Sequence, residues 1–282
     1  MVLESITSPF RAENQPWKLL LIGGLYASVS LFLAVWIFEE YAGLVMVFLT
    51  ALAAMPLLYH TLKLEEQKDI MISDERKLLQ EHVKAVSFYM CMFIGMVIAF
   101  TFWYLVLPGN TTNDVFRIQT QTISHLNQQV TGGFAQMNLL SKIFLNNVKV
   151  MIFCLLFSFI YGSGAIFIIT WNASVIGVAA GNFIRSHLAE FAQTIGYEKI
   201  ASYFYVVGLS WLRYSIHGFP EVLAYVIAGI AGGILSVALI RHDFGSQKFE
   251  RILLDTSDMM LISIIVLFIA AILEVFVTPI FF

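Results

Sequence analysis

Residues 19–38, LLLIGGLYASVSLFLAVWIF, contain no charged side chain, and two glutamates separate them from a second apolar stretch at residues 41–58. A helix needs roughly twenty mainly apolar residues to cross a hydrocarbon layer of about 30 Å. The short link predicts that these helices form a tight antiparallel hairpin. The whole chain has 59% hydrophobic and 12% charged residues, whereas soluble domains carry about 25% charged residues. Its mean hydropathy is +0.81. We therefore expect an all-α, polytopic transmembrane helix bundle.

Three further stretches are long and apolar enough to cross a membrane. They cover residues 86–107, 148–171 and 259–277. The first of them is followed by Pro108 and Gly109, a pair typical of a turn through which a helix does not continue easily.

The region between residues 172 and 240 is harder to divide into helices. Residues 172–184 are apolar but short, and Pro220 interrupts the stretch that follows. Because proline lacks a backbone donor and clashes with the preceding turn, we expect a helix break near His217 to Pro220 and a full span over residues 219–240. A short crossing before that span gives about seven spans in all. A re-entrant pair of half-helices is the alternative.

Two polar segments divide the chain into regions. Residues 61–85 are rich in both charges and are predicted to form a charged cytoplasmic helical linker, whereas residues 108–147 are rich in Thr, Gln and Asn and are predicted to form a polar outer loop. The predicted organisation is an N-terminal transmembrane hairpin at residues 1–60, the linker, and a membrane domain at residues 86–282.

Lysine and arginine in short loops predict the orientation. Five lie in residues 61–85 and three in residues 241–251, whereas residues 39–41 contain none. Because cytoplasmic loops carry the excess of these residues, we expect a multi-pass cell-membrane protein with its N-terminus in the cytoplasm and its C-terminus outside. Residues 1–16 are polar and no small-residue cleavage pattern follows the first apolar run, so a cleaved signal peptide is not expected.

Charged residues at membrane depth are costly and mark places of interest. Glu274 lies within the last predicted span, and the run from His217 through Pro220 to Glu221 reads as the start of a helix. Arg213 is spaced to pair with Glu221 or to reach Glu274. Buried polar contacts that hold neighbouring helices together are the favoured interpretation, and an ion, proton or substrate site is the alternative.

Small residues recur at four-residue spacing, which allows two helix backbones to approach closely. These pairs are Gly177 with Gly181 and Gly229 with Gly233. Packing within the chain is the favoured interpretation, and a dimer face is the alternative.

Sequence motifs for catalysis are absent. The chain has no Gly-x-Ser-x-Gly elbow, no phosphate-binding glycine-rich loop and no His-Glu-x-x-His metal pattern. Its formal net charge of −3 gives no indication of nucleic acid binding. Cys91 and Cys154 both lie in apolar runs, where they are expected to pack as small hydrophobes. We predict no catalytic residue, no metal site and no cofactor.

Several short motifs occur together in a recognisable order. The first is His217-Gly218-Phe219-Pro220-Glu221, followed by the small-residue span at residues 228–233, and then the run from Leu273 to Pro279 that contains Glu274 and Thr278. Asn172 with Gly177 adds a further element. In this order they resemble the stage II sporulation protein M family, and the resemblance covers roughly residues 86–282.

The resemblance implies a protein that catalyses no reaction itself. In spore formers, members of this family are membrane scaffolds that position a peptidoglycan-degrading complex. The expectation for this chain is a non-enzymatic scaffold embedded in membrane lipid. It would recruit protein partners, such as a hydrolase or an ATPase, and could form a homo-oligomer. A small-solute or ion transporter, or the membrane subunit of one, is the alternative.

Overall fold

The computed structural model describes residues 15–72, 74–130, 136–191, 197–241 and 245–281. Over these ranges the chain is helical and has no β-strand. The prediction about a signal peptide rests largely on residues 1–16, of which residues 1–14 lie outside them. The helices are α1 (Trp17–Phe38), α2 (Ala42–Met71), α3 (Glu75–Val106), α4 (Gly109–Val115), α5 (Arg117–Val130), α6 (Gln136–Tyr161), α7 (Ala165–Glu190), α8 (Tyr197–Arg241), α9 (Gln247–Ile272) and α10 (Thr278–Phe281).

Seven of these helices are long enough to cross a membrane, which confirms the predicted transmembrane bundle. Six stretches of the described chain meet the criteria of length and hydropathy, and the first of them, Trp17–Met71, contains both α1 and α2. The shortest of the seven, α1, has 22 residues, or about 33 Å at 1.5 Å per residue. A short 3₁₀ turn, Glu39–Tyr41, links α1 to α2.

Contacts between helices establish the direction of each pass. The indole of Trp103 in α3 donates to Ser28 in α1 at 2.9 Å, and Gly95 of α3 packs on Leu20, so these helices run the same way. The hydroxyl of Ser210 in α8 donates to the Ala180 carbonyl in α7 at 3.2 Å. The hydroxyl of Ser263 in α9 donates to the Ala224 carbonyl in α8 at 2.7 Å.

The bundle therefore has two ends of different character. We call the end where α2, α3, α8 and α9 meet near Met71 and Arg241 the charged end. The opposite end carries the turn at Glu39–Tyr41 together with α4 and α5.

The predicted span over residues 148–171 is wrong, because the chain turns in its middle. Helix α6 ends at Tyr161 and α7 begins at Ala165. Between them Gly162 has a φ of +73°, a conformation that residues with a side chain rarely adopt. The displaced boundary gives α7 its full 26 residues. The predicted short or re-entrant segment is therefore a complete crossing.

The predicted helix break near Pro220 is also wrong. Helix α8 runs without interruption from Tyr197 to Arg241, with Pro220 inside it. At 45 residues it is about 67 Å long, so it extends well past an apolar layer of about 30 Å. Proline is tolerated inside membrane helices because neighbouring helices and local adjustments accommodate the backbone carbonyl that loses its donor. His217 and Glu221 therefore lie within a helix and not at its start.

The polar segment at residues 108–147, predicted to be an outer loop, is helical over most of its described residues. It contains α4, α5 and about the first three turns of α6. Phe116 and Gln119 are fully buried. The amide of Gln119 donates to the Gly43 carbonyl at 3.1 Å and to the Ser174 hydroxyl at 3.3 Å, which links α5 to α2 and α7. Its residues 131–135 lie outside the described ranges.

Candidate functional site

The first candidate site contains the motif residues of α8 and of the C-terminal end of the chain. We call His217, Glu221, Glu274 and Thr278 the motif site. His217 Nδ1 lies 3.2 Å from the Thr278 hydroxyl. That hydroxyl donates its proton to the Leu273 carbonyl at 3.1 Å. With its single proton in that bond, the Thr278 hydroxyl accepts a hydrogen bond from Nδ1–H of His217.

The two carboxylates of the motif site lie near each other on neighbouring helices. Glu221 accepts a hydrogen bond from the Tyr225 hydroxyl at 2.7 Å, one helical turn along α8. Glu274 lies within range of an electrostatic interaction with Glu221. It belongs to a π-helical turn, Leu273–Val277, that interrupts the α-helical pattern after α9. Single π-helical turns inside helices often occur at functional sites. Both carboxylates are partly buried.

The remaining predicted motif residues contact groups other than the four side chains of the motif site. The side-chain amide of Asn172 donates to the Ile168 carbonyl one turn earlier in α7, at 2.8 Å. The guanidinium of Arg213 lies 5.3 Å from the centre of the Phe183 ring. Gly218 faces Ile176 of α7, and Pro279 is exposed. Tyr225, the partner of Glu221, was not among the residues that sequence reasoning selected.

The four predicted packing glycines all face other helices of the same chain. A Cβ atom added at Gly177 would lie 2.8 Å from Cβ of Phe100, and one at Gly181 would lie 2.5 Å from Tyr104. The corresponding atom at Gly229 would lie 2.7 Å from Cβ of Ala165. At Gly233 it would lie 2.8 Å from the Gly162 carbonyl oxygen. These contacts bring α7 close to α3, and α8 close to α7 and to the turn before it.

The second candidate site lies at the charged end and consists of Glu65, Asp69, His82 and Asp255, which we call the junction cluster. His82 Nδ1 lies 2.8 Å from Glu65 Oε2. His82 Nε2 lies 3.0 Å from Asp255 Oδ2 and 3.2 Å from Asp69 Oδ1. Both ring nitrogens therefore face carboxylate oxygens, which accept hydrogen bonds and have no proton to give when ionised.

Further ion pairs surround the junction cluster. Lys68 Nζ lies 2.6 Å from Glu65 Oε1 and 3.3 Å from Glu81 Oε2. Arg241 at the end of α8 pairs with the buried Glu66 at 2.8 Å. The guanidinium of Arg251 in α9 donates to the Ile72 carbonyl at the end of α2. These polar contacts connect α2, α3, α8 and α9.

The sequence did not reveal the junction cluster. Residues 61–85 read as a solvated linker because they carry many charges, yet Glu65 and Asp69 have no exposed surface and His82 is only 2% exposed. One signal was available: Glu65 and Asp69 are four residues apart, which places them on one face of a helix. His82 and Asp255 are 173 residues apart, so no local spacing connects them.

A further polar contact that the sequence did not reveal lies at the opposite end. The guanidinium of Arg185 in α7 donates to the carbonyls of Tyr104 and Leu107 and lies 4.7 Å from the centre of the Tyr104 ring. A cation at the C-terminal end of a helix interacts favourably with the helix dipole. Arg185 therefore caps α3 while it links α7 to it.

The seven long helices and the motif site define a polytopic helical membrane protein. The family model of stage II sporulation protein M matches residues 44–279, more than four fifths of the chain. The chain belongs to the stage II sporulation protein M family. Comparison with curated proteins and with solved structures found no match.

The family match is longer than the resemblance predicted. The expected limit was near residue 86, whereas the match begins at residue 44 and so includes nearly all of α2. The three helix ends that carry the junction cluster, on α2, α3 and α9, therefore lie within the matched region, and so does the charged segment at residues 61–85.

Proposed function

We propose that this chain is a non-enzymatic membrane scaffold that holds partner proteins at the cell membrane. The observation that carries the proposal is the use of its buried polar side chains. At the charged end they link four helices to one another, and at the motif site His217 binds Thr278 across two chain passes. A scaffold must keep one shape while its partners are bound. Hydrogen bonds and ion pairs between helices favour a single packing arrangement.

The partner surfaces we propose are the exposed polar ones. Arg76 and Lys77 are exposed at the charged end, and α5 presents polar side chains at the opposite end. Membrane lipid would cover the apolar side chains that face outward, such as Trp36 (82% exposed) and Leu261 (59% exposed). The partner class we favour is a hydrolase or an ATPase, because a scaffold without chemistry needs a partner that supplies it. Association of two copies would use the same surfaces.

We also propose that the charged end faces the cytoplasm, which places the N-terminus inside and the C-terminus outside. The excess of lysine and arginine at this end supports the assignment. Labelling of single cysteines placed at Lys77 and at Asn113, in a variant without Cys91 and Cys154, tests it. A membrane-impermeant thiol reagent applied from outside should label position 113 alone. Labelling of position 77 alone would reverse the orientation.

Transport of a small solute or ion is the second candidate function. The partly buried Glu221 and Glu274, together with the π-helical turn at Leu273–Val277, favour it, because transporters place acidic groups and irregular helices beside their substrates. An apolar cleft lies beside Gly218, between α3, α7 and α8, but neither carboxylate lines it. A solute in this cleft would therefore contact neither acidic group.

Reconstitution separates the two functions. The full chain in sealed liposomes should pass protons and small ions no faster than protein-free liposomes, and Glu221→Gln with Glu274→Gln should change nothing. Cross-linking in native membranes should recover a partner in stoichiometric amounts. The partner should be lost when Arg76 and Lys77 are both replaced by Glu, and retained with Lys142→Glu at the opposite end. Flux that requires Glu221 or Glu274, without any recovered partner, would overturn the scaffold proposal.

A further inference from the structure

The junction cluster contains three potential metal ligands from three different helices. Asp69 lies on α2, His82 on α3 and Asp255 on α9, and one ligand atom from each lies within 4.8 Å of the others. Asp69 and His82 are buried, whereas the side chain of Asp255 keeps 21% of its surface exposed. The cluster is therefore enclosed on the protein side and reachable from solvent past Asp255.

Asp69 lies beside the His82 imidazole as an ion pair but accepts no hydrogen bond. Over the ranges that the structure describes, neither of its carboxylate oxygens has a hydrogen-bond donor, although the residue has no exposed surface. The proton of His82 Nε2 is directed at Asp255, and Asp69 Oδ1 lies 3.2 Å from the same nitrogen without a hydrogen bond to it. A buried carboxylate without a donor is strongly unfavourable. A metal ion bound directly by Asp69 would satisfy its carboxylate oxygens.

His82 is oriented as metal-binding histidines are. Its Nδ1 faces Glu65 Oε2 at 2.8 Å, and Glu65 is itself held by Lys68 at 2.6 Å. A metal-binding histidine usually donates its other ring N–H to a carboxylate, which fixes the ring and makes the ligand nitrogen more basic. With Nδ1 committed to Glu65, Nε2 is the nitrogen left for a metal, and it is the one that faces Asp69 and Asp255.

The distances fit a small divalent ion. Two ligands of a tetrahedral Zn²⁺, each about 2.0 to 2.1 Å from it, lie about 3.3 Å from each other. His82 Nε2 lies 3.2 Å from Asp69 Oδ1 and 3.0 Å from Asp255 Oδ2. Both distances lie within a few tenths of an ångström of that value, and the third pair of ligand atoms, on Asp69 and Asp255, lies within 4.8 Å.

We propose that Asp69, His82 and Asp255 bind one divalent first-row transition-metal ion, which links α2, α3 and α9 at the charged end. One imidazole nitrogen with two carboxylate oxygens suits Zn²⁺ or Mn²⁺, whereas Mg²⁺ and Ca²⁺ prefer oxygen ligands alone. The ion takes the place of the Nε2 proton, which leaves to solvent. Three carboxylates, Lys68 and a divalent ion balance in charge when the imidazole is neutral.

Metal binding to the full chain in detergent tests this site. After dialysis against a chelator, titration with Zn²⁺ and with Mn²⁺ followed by calorimetry and elemental analysis should give one ion per chain for at least one of the two metals. Asp255→Asn should weaken binding at least 10-fold, and Glu65→Gln should weaken it about 10- to 100-fold, as loss of an outer-shell carboxylate does. Glu81→Gln, a change of the same kind one residue before His82, should bind as the native chain does.

Thermal unfolding gives a second measurement that does not depend on the titrations. A chelator should lower the melting temperature of the native chain and of Glu81→Gln, and added metal should restore both. The melting temperature of Asp255→Asn should respond to neither treatment. The proposal would be wrong if the native chain bound no stoichiometric metal and its melting temperature did not change with the chelator. The His82 imidazolium alone would then hold the cluster together. Equal affinities for the native chain and Asp255→Asn would also overturn the proposal.

Discussion

The motif site and the junction cluster each combine one histidine with acidic side chains, but they hold them differently. At the motif site His217 and Glu221 are partly buried and have hydroxyl partners, Thr278 and Tyr225. At the junction cluster a buried histidine contacts three carboxylates from two other helices. Opposite charges within about 3 Å can keep ionised groups inside a protein, whereas a hydroxyl contributes a single hydrogen bond.

This difference predicts that the junction cluster contributes more to stability than the motif site does, although only the motif site was visible in the sequence. The substitutions below test that ranking, and they are ordered from the largest expected effect to the smallest.

His82→Ala should have the largest effect. It removes the only described side chain that contacts Glu65, Asp69 and Asp255 together, and it leaves buried carboxylates facing one another. Loss of one partner from a buried ion pair typically costs about 3 to 5 kcal/mol of unfolding free energy. Thermal unfolding in detergent, followed by circular dichroism, measures it.

Glu81→Gln is the matched control for this change. Glu81 pairs with Lys84 and Lys68 near the surface of the same helix, and exposed pairs contribute about 0 to 1 kcal/mol. Melting temperatures that fall equally in His82→Ala and Glu81→Gln would contradict the central role of His82.

Tyr225→Phe should have an intermediate effect. The tyrosine is fully buried and donates to Glu221 at 2.7 Å, so phenylalanine keeps the packing and removes only the hydrogen bond. If Glu221 is ionised, the loss should be about 1.5 to 3 kcal/mol, and if it is neutral about 0.5 to 1.5 kcal/mol. Comparison with Glu221→Gln in the Tyr225→Phe background separates the two cases. A melting temperature unchanged by Tyr225→Phe would show that the contact does not stabilise the protein.

The sequence predicted the spans better than their boundaries. Uncharged stretches of about twenty residues reveal a membrane helix wherever they occur, so the hairpin of α1 and α2 and the span count were accessible. The turn at Gly162 was not, because residues 148–171 are apolar on both sides of it and its signal is one glycine at positive φ. At Pro220 the sequence predicted a break that the structure does not have. Tertiary contacts stabilise α8 across a residue that would break an isolated helix.

The candidate sites differ in the same way. The motif residues are close in the chain or follow the order of the family motif, so His217 and Glu274 can be selected from the sequence alone. The junction cluster depends on helix ends that converge only after folding. Its many charges are typical of solvated surface, so the composition of residues 61–85 gives no indication that they are buried. Burial of Glu65 and Asp69 requires partners on α3 and α9, which no local pattern specifies.

Thr278→Val should have the smallest effect of the three and completes the test of the ranking. Valine has nearly the same shape as threonine, so the change removes the hydroxyl that accepts from His217 and donates to the Leu273 carbonyl while it preserves packing. Loss of a neutral hydrogen bond of this kind costs about 0.5 to 1.5 kcal/mol. Thr278→Ser, which retains the hydroxyl, should unfold close to the native temperature. If valine destabilised the protein as much as His82→Ala, or if serine and valine behaved alike, the hydroxyl would not be the element that joins the end of the chain to α8.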